Sequence, residues 1–158
     1  MMSLLPGDDD TIVAIATAPG RGAVAVVRLS GARAISIARA LGAFGGPGGG
    51  DVVARRAQLV TLRDGERDGE RAVVLDQALV TAFVAPHSFT GEDIVEFATH
   101  GGLVSPQRVM AACLALGARV ALPGEFTRRA VLNGRMDLLQ AEAVADVVDA
   151  RTQAMQQQ

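Results

Sequence analysis

Pro123–Ala150, PGEFTRRAVLNGRMDLLQAEAVADVVDA, sets two turns and two helices in tight order. Pro123-Gly124 reads as a turn, Glu125–Leu132 as a short basic helix and Asn133-Gly134 as a second turn. Asp137 then stands where a helix N-cap belongs, and Gln140, three residues on, completes a capping box. Leu138, Ala141, Val144, Ala145 and Val148 recur at helical spacing and form an apolar stripe. That stripe needs a partner helix, and the sequence up to Gln158 offers none. The run therefore reads as a junction: residues 1–135 make one folded domain, and 136–158 are the first helix of a second domain that is cut short.

Upstream of the junction, short strands alternate with short helices. Thr11–Thr17 and Ala23–Leu29 read as strands joined by the turn Pro19–Gly22, and Ser30 is placed to cap a helix running to about Leu41. Gly42–Gly50, with its GGPGGG, reads as a flexible loop. No Lys-Ser/Thr follows it, so it is a linker and not a phosphate cradle. Gln58–Leu62 and Val73–Ala85 read as strands around the charged hairpin tip RDGERDGER, Arg63–Arg71. Asp93–Thr99 is a further strand. A helix starts near Ser105-Pro106, with Val109, Cys113 and Leu116 on its apolar face and Gly117 at its end. Ala118–Ala121 completes the set as a short strand. Hairpins with segregated helices predict an α+β fold with a mixed or antiparallel sheet.

Composition narrows the chemistry. The 158 residues suit one domain with a sizeable core. All 15 basic residues are Arg, which excludes a Schiff-base lysine and a phosphate loop that uses lysine. Five Phe with no Tyr or Trp argue against a stacking platform for single-stranded RNA. Cys113 stands alone, so no internal disulfide forms, and a reducing cytoplasm is the expected compartment. No apolar run reaches membrane-spanning length, and the N-terminus MMSLLPGDDD has no secretion signal.

Two charged residues fall on apolar strand faces. Arg28 shares a face with Val24 and Val26, and Glu96 shares one with Ile94 and Ala98. Buried charge is costly without a partner. Either the two pair with each other or sit at the sheet margin, or they mark a polar site in an apolar pocket. Arg21, between glycines, is a turn arginine or a contact to a ligand or second subunit. His100, in THGG, reads as hydrogen-bonded to its Gly-Gly turn, and His87 as a loop residue. Thr90, Glu92 and Asp93 look like a polar rim. Glu125 with Arg128 and Arg129 reads as helix-start electrostatics, and Cys113 as a core residue.

Four ordered stretches resemble the TrmE/MnmE family of tRNA-modifying GTPases: Asp10–Gly31, Pro86–Glu96, His100–Gly102 and the junction Pro123–Ala150. The resemblance covers nearly the whole chain except roughly residues 42–72. It implies a fold similar to the folate-binding domain of glycine-cleavage T protein, followed by the opening helix of a helical domain. It implies that this domain binds 5-formyl-tetrahydrofolate as a one-carbon source and forms a homodimer. The family's binding positions fall here on Arg28, Glu96 and Arg135. A pterin offers two parallel N–H donors that match a carboxylate such as Glu96. An arginine at 28 or 135 is suited to a ring carbonyl, the formyl oxygen or the glutamate tail.

Two positions depart from the family pattern. Arg135 stands where Lys is usual, which changes the donor geometry, and Val131 where Phe is usual. The family protein, with its FAD-containing partner MnmG, modifies wobble uridine 34 of tRNA. It uses GTP with Mg2+ and K+ in a domain this chain lacks, so no GTP hydrolysis and no catalytic residue are expected here. Contact with tRNA is expected only through the complex, and none with a membrane. The alternatives are a stand-alone folate-dependent aminomethyltransferase and a structural dimerisation domain with a decayed pocket.

Overall fold

A computed structural model describes residues 4–65 and 71–156, with side chains described as far as residue 147. Most of the repeated RDGE segment, residues 66–70, lies outside the described residues. The strands are β1 Ile12–Ile15, β2 Val24–Ser30, β3 Gln58–Asp64, β4 Val73–Phe83, β5 Ile94–His100 and β6 Arg119–Val120. The helices are α1 Ala34–Ala40, α2 Val104–Ala115, α3 Glu125–Leu132 and α4 Leu138–Gln156. One six-stranded sheet runs in the order β3-β4-β5-β2-β1-β6. All its pairings are antiparallel except β1 with β6, so the fold is α+β with a mixed sheet.

Strand alternation divides the sheet into two unlike faces. Val27, Leu29, Val80, Ala82, Val95 and Phe97 point to one side, where α1 and α2 cover them with Ile37, Ala38, Val109 and Cys113. Burying each large aliphatic side chain contributes about 1.5–3 kcal/mol, so this side carries the stability of the sheet. Cys113 belongs to this core, and burial pushes its thiol up to about 12. The opposite face holds Val24, Val26, Arg28, Leu79, Thr81, Glu96 and Ala98, and it is only partly covered. No helix among the described residues is long and apolar enough to cross a membrane.

Two local expectations give way to tertiary contacts. Ser30 does not cap α1, which has no side-chain cap. Its hydroxyl instead meets Thr90 Oγ1 at 2.8 Å and donates to Glu92 Oε2 at 2.6 Å, because a buried hydroxyl is satisfied by whatever polar group packs against it. The glycine-rich stretch is not a free linker either. A 3-10 turn at Ala43–Gly45 buries Ala43 and Phe44 in the core, and the Arg39 guanidinium donates to the carbonyls of Gly49 and Gly50. The capping box forms as read: Asp137 N–H donates to Gln140 Oε1 at 2.9 Å, and Gln140 N–H to Asp137 Oδ1 at 2.8 Å.

A buried charge network fixes α3 against the sheet. Arg129 is only 1% exposed, and its Nη1 donates to both carboxylate oxygens of Glu92 at 3.1 Å. Its Nη2 donates to the Gly7 carbonyl and to Glu125 Oε2, each at 3.2 Å. Arg119, from β6, grips Glu125 with two bonds of 2.8 and 2.7 Å and also reaches Asp10 and Gly7. Arg128 pairs with Asp8. Glu125 is thus more than a helix-start charge. It joins β6, α3 and the N-terminal segment.

Removing one member of a buried ion pair leaves the other unpaired. Arg129→Met is expected to destabilise the fold by about 3–5 kcal/mol in a urea titration. Hydrogen bonds from Arg119, and then the Leu122 N–H, hold the Glu125 carboxyl at about 2 against its ordinary 4.5, although burial opposes them. The folded chain therefore binds fewer protons there than the unfolded chain. The stabilisation is complete above about 4.5 and is lost as the pH falls towards 2. Urea midpoints should drop over that window in the wild type and drop less in Glu125→Gln.

Candidate functional site

Arg28 and Glu96 are direct cross-strand neighbours on the partly covered face of the sheet. Their side chains are 24% and 29% exposed, and Arg28 Nη2 stands 3.5 Å from Glu96 Oε1. That separation makes a loose ion pair and not a tight charge-assisted hydrogen bond. Arg28 Nε is buried with no hydrogen-bond partner among the described residues. An unsatisfied buried donor costs about 1–3 kcal/mol, so such a group calls for an explanation.

Two aromatic rings hold the guanidinium in place. Its central carbon lies 5.6 Å from the centroid of Phe89 and 5.4 Å from that of Phe126, within cation–π range. Phe126 comes from the first turn of α3, and Phe89 from the loop between β4 and β5. This loop is tied down at several points. Ser88 Oγ donates to the Glu92 carbonyl at 2.5 Å, Asn133 Nδ2 to the Thr90 carbonyl at 2.8 Å and Arg135 Nε to the Ser88 carbonyl at 3.0 Å. At Gly91, φ is +80° and a Cβ would meet Asn133 Cβ at 2.8 Å, so only glycine lets the loop approach α3 this closely. Thr90 is fully buried, and Glu92 turns inward to Arg129 and Ser30. The two are therefore structural ties and not the polar rim expected from the sequence.

Beside Arg28 lies a cavity of about 790 Å³, bounded by Ala14–Ala16 at and just beyond the end of β1, Phe89, the 121–127 segment and α4. Its volume falls in the range of small-molecule sites. The walls are mostly apolar, with Arg28 the one charged side chain among them. Glu96 stands beside Arg28 but does not itself line the cavity, so the walls offer a flat molecule an apolar berth and one cationic donor, Arg28. The third expected site residue does not line the cavity either. Arg135 is exposed and fastened to the loop of Phe89.

The other sequence candidates fall elsewhere. Arg21 is exposed and lines a separate cavity of about 390 Å³ with Gly22, Gly102 and Pro106. His100 is not bound to its glycine turn. Its Nδ1 lies 2.7 Å from Asp76 Oδ1, and its backbone N–H donates to Asp76 Oδ2 at 2.8 Å. Burial opposes ionisation of Asp76, but the bonds from His100 and the Gln77 N–H hold its carboxyl below the ordinary range. Gly101 serves packing, since a Cβ there would lie 1.7 Å from the Gly22 carbonyl oxygen.

Sequence reasoning missed Phe89 and Phe126, and it read Arg129 only as part of the helix-start charges with Glu125. A signal for the two rings was present. Both stand in polar, glycine-bearing stretches, HSFTGED and PGEFTRR, where a core phenylalanine has no apolar neighbours to pack with. The Glu125–Arg129 spacing of four residues was visible, but the ties of Arg129 to Glu92 and Gly7 were not, because neither is near it in sequence.

Comparison with known proteins agrees with this fold. Residues 11–135 match the family described as GTP-binding protein TrmE N-terminus. The tRNA modification GTPase MnmE of Azoarcus sp. (strain BH72) is 49% identical over 154 residues, which is 98% of this chain and 32% of that protein. The protein of the same name from Chloroflexus aurantiacus is 49% identical over 92% of this chain and 31% of its own length. That from Synechococcus elongatus is 50% identical over 90% and 30%. The chain spans about a third of the length of these relatives. With the family match covering most of its residues, the chain belongs to the TrmE N-terminal family.

Proposed function

We propose that this chain is the N-terminal, folate-binding and dimerising module of a tRNA modification GTPase, and that its ligand is 5-formyl-tetrahydrofolate. One observation carries the reading: Arg28 is held between two rings at the wall of an apolar cavity, with a buried Nε that lacks a partner and with Glu96 beside it. The residues fit the group. Glu96 can accept two parallel N–H donors from a pterin, and Arg28 can donate to a carbonyl or formyl oxygen. The loose Arg28–Glu96 pair, at 3.5 Å, lets both side chains turn to a ligand at little cost. Arg135 acts mainly by holding the loop of Phe89 through its Nε. Its Nη1 and Nη2 make no hydrogen bond among the described residues and are available to the ligand's tail.

When bound, the folate would supply the one-carbon unit for uridine 34 modification. The chain's own residues bind and orient it, and none is assigned a catalytic role. GTP, with Mg2+ and K+, is handled by the rest of such a protein. MnmG and, through the complex, tRNA are its partners in the cytoplasm. Residues 1–135 form the folate module, and α4 opens the helical domain. The partly covered sheet face supports dimerisation. Leu59 and Leu79 are cross-strand partners there, 64% and 48% exposed, next to the half-buried Ala98. Contiguous exposed apolar surface of this kind marks an association site.

Calorimetric titration with 5-formyl-tetrahydrofolate should show saturable binding. Glu96→Ala should weaken it about ten- to hundredfold, the effect of losing hydrogen bonds to a charged group. No saturable binding by the wild-type chain would overturn the folate reading. In sedimentation, the wild type should be a dimer and Leu79→Glu a monomer. A wild type that stays monomeric at high concentration would sink the dimer claim.

A further inference from the structure

The cavity next to Arg28 has a wall from an unexpected source. Residues of α4 bound it, although the capping box at Asp137–Gln140 separates this helix from α3 and from the sheet. Ala141, Val144 and Ala145 lie on one face of α4, at spacings of three and four residues, and all three line the cavity. Also lining it are Ala14 of β1, Ala16 just beyond that strand and Phe126 of α3. The short side chains of Ala14, Ala16, Ala141 and Ala145 leave the gap between these elements unfilled, with room for a slab of ligand. The β1 edge contributes too. β6 pairs with β1 only at Ile12 and Val13, so among the described residues no strand covers the outer edge of Ala14–Ala16 where it borders the cavity.

α4 itself is weakly held. Leu138, Leu139 and Val147 are 63%, 75% and 57% exposed, and the main helical neighbour of α4 is α3. An element with few buried contacts opens at low free energy. A ligand that adds apolar contact to it shifts it to the ordered position by mass action.

We propose that α4 is part of the ligand site. Its Ala141–Val144–Ala145 face grips the apolar body of the molecule whose polar head Arg28 holds, so that filling the cavity fastens α4 to the sheet. This rests on the folate reading above and extends it. The helix that leads out of the module reports whether the site is filled.

The test uses the 158-residue chain and 5-formyl-tetrahydrofolate as the probe. Ala145→Trp places a large side chain in the cavity, and Ala143→Trp places the same side chain on a face of α4 that does not line it. Binding is measured by calorimetry, folding by circular dichroism and thermal melting, and α4 order by hydrogen exchange. Ala145→Trp should weaken binding at least tenfold with an unchanged melt, and Ala143→Trp should bind as the wild type does. Ligand should slow exchange of the α4 amides in the wild type and in Ala143→Trp. If the wild type binds but Ala145→Trp binds equally well and α4 exchange is unchanged, the proposal fails and the folate reading stands. If the wild type does not bind, both fall. If Ala145→Trp melts early, Ala145→Leu is used in its place; binding by Ala145→Leu equal to the wild type together with unchanged α4 exchange overturns the proposal.

Discussion

The buried guanidinium of Arg129 is the constraint on which the functional end of this molecule depends. It sits on α3, and its two terminal nitrogens reach the β4–β5 loop through Glu92, the N-terminal segment through the Gly7 carbonyl and its own helix through Glu125. A charge this far from water is tolerated only when its partners are fixed. Those partners belong to segments with little apolar surface of their own, so hydrogen bonds and not hydrophobic burial set their positions. Arg119 repeats the device one layer out, where it binds Glu125, Asp10 and the same Gly7 carbonyl. Glu125, shared by the two arginines, is the hinge of the arrangement.

From this network the rest of the site follows. α3 held in place presents Phe126, and the loop held by Glu92, Thr90 and Ser88 presents Phe89. The two rings then clasp Arg28 on the open face of the sheet. The helix-covered face supplies the stability that lets the open face carry an under-satisfied guanidinium and a loosely paired carboxylate. Burial on one side of the sheet offsets exposure of polar chemistry on the other, and the period-two alternation of the strands sorts the residues between them. A module built in this way offers a preformed, apolar, ligand-sized space with one polar wall.

Much of this was legible along the chain, because local patterns carry local structure. Glu125–Leu132 was bounded as read, and the Asp137–Gln140 box closed as its spacing requires, since both depend on residues within one helical turn. Arg28 and Glu96 were visible as charges set in apolar rows of their strands, although the face they share is the open one and not the core. Their pairing was one of the readings the sequence left open, whereas that Arg135 stays with Ser88 and that His100 turns to Asp76 was not visible. Each of these depends on which strand or loop lies alongside. Ser30 shows the same limit: its hydroxyl went to Thr90 and Glu92, far off in sequence, and not to the helix that follows it.

The sequence by itself determined the element order, the amphipathic faces, the family and the two charges set in apolar strand rows. These follow from side-chain periodicity, capping and ordered motifs, which act over a few residues at a time. Only the tertiary structure decided that two phenylalanines flank Arg28, that its Nε is left without a partner and that α4 closes the cavity. The physical reason is range. Stacking, buried ion pairs and cavity walls join residues that the chain keeps tens of positions apart, and sheet register and helix packing alone bring them within a few ångströms.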